Sequence, residues 1–298
     1  MGVARKRVTK QMGIQVFGHR GASAYRPENT LEAFELAFAQ GADAIECDLV
    51  PTKDGQLIIR HDNYLSTTTD VASRPEFAHL QREGMVGWQE TRPDWFCEDF
   101  TLAELKQLRA IERLPEERPG SAKFDGQFQL ATLDELLTAE FTAGKHLILE
   151  VKHGAYFASR GLPVSAILGR KLREIDWQSR GITLTLESFD FKVLQQMQKV
   201  CGDIGDYVFL VDTWGEPMFD ETAKIFDGIS FNSVLVFGSD WLDQAKARGL
   251  KVFIWTARAE DAEESTDEYF AKFALSGADG VFADQPDLLR QVADGIEH

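Results

Sequence analysis

The stretch IQVFGHRGASAYRPENTLEAFELAFAQGADAIECDLV, residues 14–50, holds in one piece the unit from which the fold is read. A short apolar run, IQVFGH, gives way to helical spacing in NTLEAFELAFAQG, and a second apolar run, AIECDLV, follows. Asn29 or Thr30 can cap the helix, Leu31, Phe34, Leu36 and Phe38 supply much of an inward face, and Gly41 is placed to end it. Strand, helix, strand in this order is a crossover unit, and a crossover makes its two strands parallel.

The same rhythm continues outward. LIIRH, HLILEVK, ITLTLES, YVFLVD, KVFIW and GVFAD read as further short strands, and TLDELLTAEFTAG, FDFKVLQQMQKV and DWLDQAKARG as helices among them. Eight strands with helical cover make a closed parallel barrel the leading architecture, with a doubly wound open sheet as the alternative. No GxGxxG follows the first strand to support a dinucleotide site. DGISFNSVL, residues 227–235, is a ninth candidate, so one of the nine must be a hairpin arm, an edge piece or a loop. The turn Asp54-Gly55 joins AIECDLV to LIIRH with no room for a crossover helix, so those two are not adjacent parallel staves.

Residues 63–130 break the rhythm and read as an excursion over one mouth of the barrel. Within it TLAELKQLRAIERL has helical spacing, and Trp88, Trp95 and Phe96 are expected to cement the excursion to the scaffold, a substrate-side wall being the sharper alternative. The acidic AEDAEESTDE at 259–268 reads as a solvated loop and helix start without the spacing of an EF-hand.

Composition narrows the function. A chain of 298 residues with 44% hydrophobic and 27% charged residues fits a globular domain with a large core. No apolar run approaches the roughly 20 residues of a spanning helix. Lys plus Arg total 32 against 48 for Asp plus Glu, a net charge of -16 that repels nucleic acid and anionic membranes. Any anionic substrate must therefore be drawn in locally. Cys47, Cys97 and Cys201 form no metal signature and read as buried or incidental thiols. The basic start, MGVARKRVTKQMG, is followed by no signal-peptide core; the expectation is cytoplasmic if the chain is complete, periplasmic or secreted if a signal was removed. The sequence sets no oligomeric state.

Charges stand where buried strands should be apolar. AIECDLV carries Glu46 and Asp48, HLILEVK carries Glu150 and Lys152, and in each pair the period of two sends both side chains to one side. Four buried ionisable groups without partners would be costly. A shared cation makes Glu46, Asp48 and Glu150 intelligible as hard oxygen ligands for Mg or Ca; ordinary ion pairs with Lys152 and Arg20 are the plainer reading. His19 ends the first strand and His61 ends LIIRH, a pair suited to a general acid and a general base. With a carboxylate they could instead form a zinc site. Arg20 can hold phosphate oxygens and Lys152 can add a second positive charge. Glu28 and Asn29 in PENT could orient a histidine or bind a hydroxyl, although a helix cap suffices for Asn29. Glu187, Ser188, Phe189 and Trp255 read as pocket-wall candidates, Glu187 with a place in a cation's outer shell and Trp255 with an apolar face for a glycerol-like group. Asp284 reads as a brace of the terminal strand.

On HRGASAYRPENT at 19–30, ECD at 46–48, HD at 61–62, LEVK at 149–152, SFD at 188–190 and the later WT and ADQP, the chain resembles a glycerophosphodiester phosphodiesterase of the longer bacterial type. The resemblance covers almost the whole chain. It implies a TIM barrel, (β/α)8, with a small insertion, forming a single domain over residues 14–290. It further implies metal carboxylates at Glu46, Asp48 and Glu150, one Ca or Mg ion, paired catalytic histidines at His19 and His61, and phosphate-side charges at Arg20 and Lys152. Glu28 and Asn29 belong to its opening motif. The implied reaction releases sn-glycerol 3-phosphate and an alcohol through a cyclic phosphate formed by attack of the glycerol 2-hydroxyl. A phospholipase using the same histidines and a catalytically silent phosphate-binding barrel are the alternatives. FADQP departs mildly from the family's more usual threonine before the last aspartate.

Overall fold

A computed structural model of the protein describes residues 13–86, 90–212 and 217–296. Its strands are β1 (Gln15–Gly18), β2 (Ala44–Pro51), β3 (Leu57–Ile59), β4 (Arg82–Val86), β5 (Glu90–Asp94), β6 (His146–Val151), β7 (Thr183–Ser188), β8 (Gly205–Val211), β9 (Gly228–Asn232), β10 (Lys251–Ala257) and β11 (Gly280–Ala283). Eight of them run parallel in the order β1-β11-β10-β9-β8-β7-β6-β2, and β1 pairs with β2 to close the ring. This is the TIM barrel, with helices such as Leu31–Ala39, Val164–Glu174, Phe191–Cys201 and Pro286–Ile296 packed outside.

The ambiguity among nine strands is resolved by direction. DGISF is a true stave, β9, flanked by β8 and β10. LIIRH is the hairpin arm: β3 pairs antiparallel with β2, Leu49 opposite Ile59 and Pro51 opposite Leu57. The Asp54-Gly55 turn, with Gly55 at φ 68°, permits no other geometry.

Thr30, not Asn29, caps the first helix, its hydroxyl accepting from Ala33 N at 3.2 Å. Ala33, Phe34 and Ala37 are its buried face, with Leu31, Leu36 and Phe38 partly buried against the same core. Gly21 sits at φ 84°, and a Cβ there would come within 2.5 Å of the Ala33 carbonyl carbon, so the loop after β1 packs on the helix only as glycine.

The excursion contains the β4–β5 hairpin and several single turns. The helix expected over TLAELKQLRAIERL is one turn, Leu102–Leu105, closed by a capping box between Thr101 and Glu104. It stops because Arg109 and Ala110 are extended and bridge to Gln129 and Thr69. Trp95 and Phe96 are buried; Trp95 packs into the main core and its Nε1 donates to Phe77 O at 2.8 Å, within the excursion, while Phe96 lies under Arg82 of β4. Trp88 lies outside the described residues. Cys47, Cys97 and Cys201 are free thiols. No helix among the described residues is long and apolar enough to cross a membrane.

Candidate active site

The alternation of side chains along the barrel strands stacks a charged layer on an apolar floor. Phe17, Ala44, Ile148, Val208, Phe253 and Phe282 form the floor inside the barrel. Two residues further along the same chain directions come His19, Glu46, Glu150, Trp255 and Asp284, and Glu187 of β7 lies in register with Glu150. A cavity of about 580 Å³ opens over this layer, at the C-terminal ends of the strands. His19, Arg20, Glu46, His61, Glu150, Lys152, Glu187 and Trp255 all line it. Asp48, Glu28 and Asn29 do not, and reach it through their neighbours.

His61 arrives on the hairpin arm, not at the end of a stave. Because β3 runs antiparallel, its end lies beside the middle of β2, where Arg60 N donates to Asp48 O at 2.8 Å. The chain bends there and delivers the imidazole to the cavity rather than ending a stave.

Glu46, Glu150 and Glu187 converge: one carboxylate oxygen from each lies within 4.8 Å of the others. Glu46 Oε1, Glu150 Oε1 and Glu187 Oε2 are buried and have no hydrogen-bond partner. Burial and the facing carboxylates Asp48, Glu150 and Glu187 hold Glu46 well above the usual range. Burial lifts Glu150 to about 7, with Lys152 opposing and Asp48 adding to the rise. Burial and then Glu150 raise Glu187 well above its ordinary value. Three orphaned acid oxygens at this spacing fit a hard divalent cation, which would relieve both the mutual repulsion and the lost solvation.

Asp48 is not in that group. Its Oδ2 accepts from Asn29 Nδ2 at 2.8 Å and lies 3.4 Å from Arg20 Nε, and its Oδ1 is 3.3 Å from Lys152 Nζ. Burial works to protonate it, but Lys152, Arg20 and His61 prevail and depress its pKa. The trio expected from the sequence thus shares Glu46 and Glu150 with the convergent group. Lys152 also pairs with Glu150 at 2.6 Å.

Each imidazole is backed by an aspartate: His19 Nδ1 is 2.6 Å from Asp284 Oδ1, and His61 Nδ1 is 2.6 Å from Asp62 Oδ1. A carboxylate on Nδ1 favours the tautomer with its proton there and leaves Nε2 free to take one. Burial, then Arg20, push His19 down to about 4 against the pull of Asp284. Burial, Arg20 and Lys152 push His61 down to about 3 against Asp62 and Asp48. Both are neutral near pH 7. Neither belongs to the cluster of potential ligands found among the described residues, which is all carboxylate.

The loop after β1 stores strain at the site. Arg20 has φ 55° and Asn29 φ 60°, a region side chains other than glycine seldom adopt. In return Arg20 N donates to Glu46 Oε2 at 2.9 Å, and Asn29 N donates to Arg20 O at 3.0 Å. Glu28 accepts from Arg20 Nη1 at 3.2 and 3.3 Å. Trp255 stands edge-on to Phe189, ring centres 5.4 Å apart, with its buried Nε1 unpartnered.

Sequence reading missed Asp62 as a working partner, although HD was in view, and assigned Asp284 to bracing a strand. Its two-residue offset from Phe282 was the available signal. The acidic segment 259–268 forms a short turn and the start of the helix Thr266–Ala274, capped by Ser265.

A profile of the Glycerophosphoryl diester phosphodiesterase family matches residues 19–288. The chain belongs to that family. A glycerophosphodiester phosphodiesterase of Caldanaerobacter subterraneus subsp. tengcongensis is 29% identical over 285 residues, covering 93% of this chain and 97% of the relative. One from Haemophilus influenzae is 28% identical over 197 residues, 61% of this chain and 51% of the relative, so the match spans about half of that family member's length. Among solved structures, an Oleispira antarctica phosphodiesterase in complex with the product sn-glycerol-3-phosphate superposes with a TM-score of 0.69 at 24% identity, over 95% of this chain and 97% of that one. The likeness carries the family's barrel.

Proposed function

We propose that the protein hydrolyses glycerophosphodiesters to sn-glycerol 3-phosphate and an alcohol with the help of one divalent cation, Ca or Mg. The observation that carries this reading is that two aspartate-backed imidazoles and three converging carboxylates line one cavity. Glu46 and Glu150 would hold the cation; the third carboxylate is Asp48, as the family resemblance implies, or Glu187, as the spacing favours. Bound there, the cation supplies Lewis-acid stabilisation to phosphate oxygens.

The chain's own groups supply the rest. Arg20 and Lys152 offer positive charge to the phosphate, and Arg20 stays fully ionised because Glu28 and Asp48 outweigh the effect of its burial. One neutral imidazole takes the proton of the glycerol 2-hydroxyl as its oxygen attacks phosphorus. The phosphodiester's negative charge favours imidazolium on the other, which protonates the departing alcohol oxygen. Water then opens the cyclic phosphate with the two proton roles exchanged. Trp255 offers an apolar face to glycerol and its Nε1–H to an oxygen. Glu28 and Asn29 act through Arg20 and Asp48.

One observation favours the lipid alternative: Phe189, Phe191, Phe209 and Leu210 wall part of the cavity, an apolar surface able to accept an acyl-bearing alcohol. The test is a product-resolved assay after chelation, with Ca, Mg, Mn and Zn restored separately. Its substrates are glycerophosphocholine, its analogue lacking the 2-hydroxyl, and a lysophospholipid. Metal-dependent release of glycerol 3-phosphate from the first alone is expected. Equal turnover of the first two removes internal attack, turnover of the lysophospholipid alone favours the lipid reading, and tight binding without turnover leaves a silent barrel.

A further inference from the structure

Both imidazole–aspartate pairs end on an arginine, and both arginines come from one stretch of the excursion, IERLPEERPG at 111–120. Asp284 gives Oδ1 to His19 and takes Arg118 Nη2 on Oδ2 at 2.5 Å. Asp62 gives Oδ1 to His61 and takes Arg113 Nη2 on Oδ2 at 2.8 Å. The division is the same at two sites that share no barrel strand. Each guanidinium is itself fixed. Arg118 is buried and also donates to Glu260 Oε1 at 2.6 Å and Ser23 O at 3.2 Å. Arg113 forks onto Glu28 with two contacts of 2.8 Å. The stretch is closed on itself by Glu112 N to Asp125 Oδ1 at 2.7 Å and Ser121 Oγ to Glu112 Oε2 at 2.5 Å.

We infer that Arg113 and Arg118 are positioning residues for His61 and His19, so that the excursion completes both proton-transfer groups rather than only covering the barrel mouth. Each guanidinium, held by its other partners, pins one aspartate oxygen through Nη2 and so leaves the second oxygen aimed at the ring. Groups that orient a reacting side chain in this way are worth about 10–100-fold at metal-site histidines, and a similar scale applies here. On the barrel alone, Asp62 would follow an untethered bend, and Asp284 would keep only Arg258, at 3.1 Å.

The inference rests on His19 and His61 being the proton-transfer pair, and the test separates the two. R113Q, R118Q, R113K, R118K, H19A and H61A are assayed on glycerophosphocholine and on the 4-nitrophenyl ester of glycerol 3-phosphate, whose leaving group needs no proton, with melting temperatures alongside. Each Gln variant is expected to lose about 10–100-fold in kcat on the choline ester with KM changed less than about threefold. On the nitrophenyl ester, the loss should shrink to under about threefold for the variant whose histidine is the acid and persist for the other. Lys variants, which keep the charge without the guanidinium's further anchoring contacts, should show the same split at smaller size; if a Gln variant does not fold, its Lys counterpart decides. Parental turnover in H19A and H61A defeats the reading beneath. Inactive histidine variants beside Arg variants within twofold of the parent, or neither Arg variant recovering on the nitrophenyl ester, overturn the inference alone.

Discussion

At the scale of single residues, burial sets the chemistry. His19 is held near 4 by its surroundings, whereas in the unfolded chain it titrates near the ordinary 6.5. Between those values the unfolded state binds the extra proton, so His19 contributes a stability that is complete above about pH 6.5 and is lost as pH falls toward 4. His19→Asn should flatten the fall of unfolding free energy across that window, by at most about 1.4 kcal/mol per pH unit, read by denaturant titration at several pH values. An unchanged slope would show that the imidazole is not carried neutral in the fold. The carboxylates divide by a second measurement. If Glu187 is the third ligand, Glu187→Gln should weaken cation affinity in calorimetry at least about tenfold while Asp48→Asn acts mainly on turnover, through Arg20 and Lys152. The reverse order would assign the ion to Asp48.

At the scale of elements, the loop joining β1 to the helix Leu31–Ala39 has least freedom. Gly21→Ala meets both a positive φ and a backbone contact, and a loss on the order of 2–3 kcal/mol is expected in thermal unfolding, with turnover falling because the same loop carries Arg20. A melting temperature equal to the parent's would mean the loop yields. Elements of this kind were legible because they are local: period-two alternation marked Glu46, Asp48, Glu150 and Lys152, and a cap and a glycine bounded the first helix. Direction was not local. LIIRH and DGISF are similarly short and apolar, and only the turn between β2 and β3 told stave from hairpin arm. The helix Leu102–Leu105 shows the opposite error, good spacing overruled by the extended pairing of Arg109 and Ala110. Asp62, Asp284 and Glu187 gained roles through tertiary neighbours: an aspartate reads alike in sequence whether it faces water or an imidazole.

At the scale of the whole molecule, a chain carrying -16 must, under the proposed function, admit an anionic phosphodiester. The surface field opposes approach over roughly one Debye length, about 10 Å at 0.1 M salt, whereas the positive groups Arg20 and Lys152 are buried and already paired with acids. Long-range repulsion and short-range capture therefore act on different parts of the encounter, and salt screens the first far more than the second. For a substrate with net negative charge, such as glycerophosphoglycerol, kcat/KM should rise about two- to threefold between 10 and 150 mM salt at fixed cation concentration. Glycerophosphocholine, whose headgroup cancels the phosphate charge, should change little. A fall for both would place attraction rather than repulsion at the cavity mouth, and the groups responsible would then be sought among the arginines of the excursion.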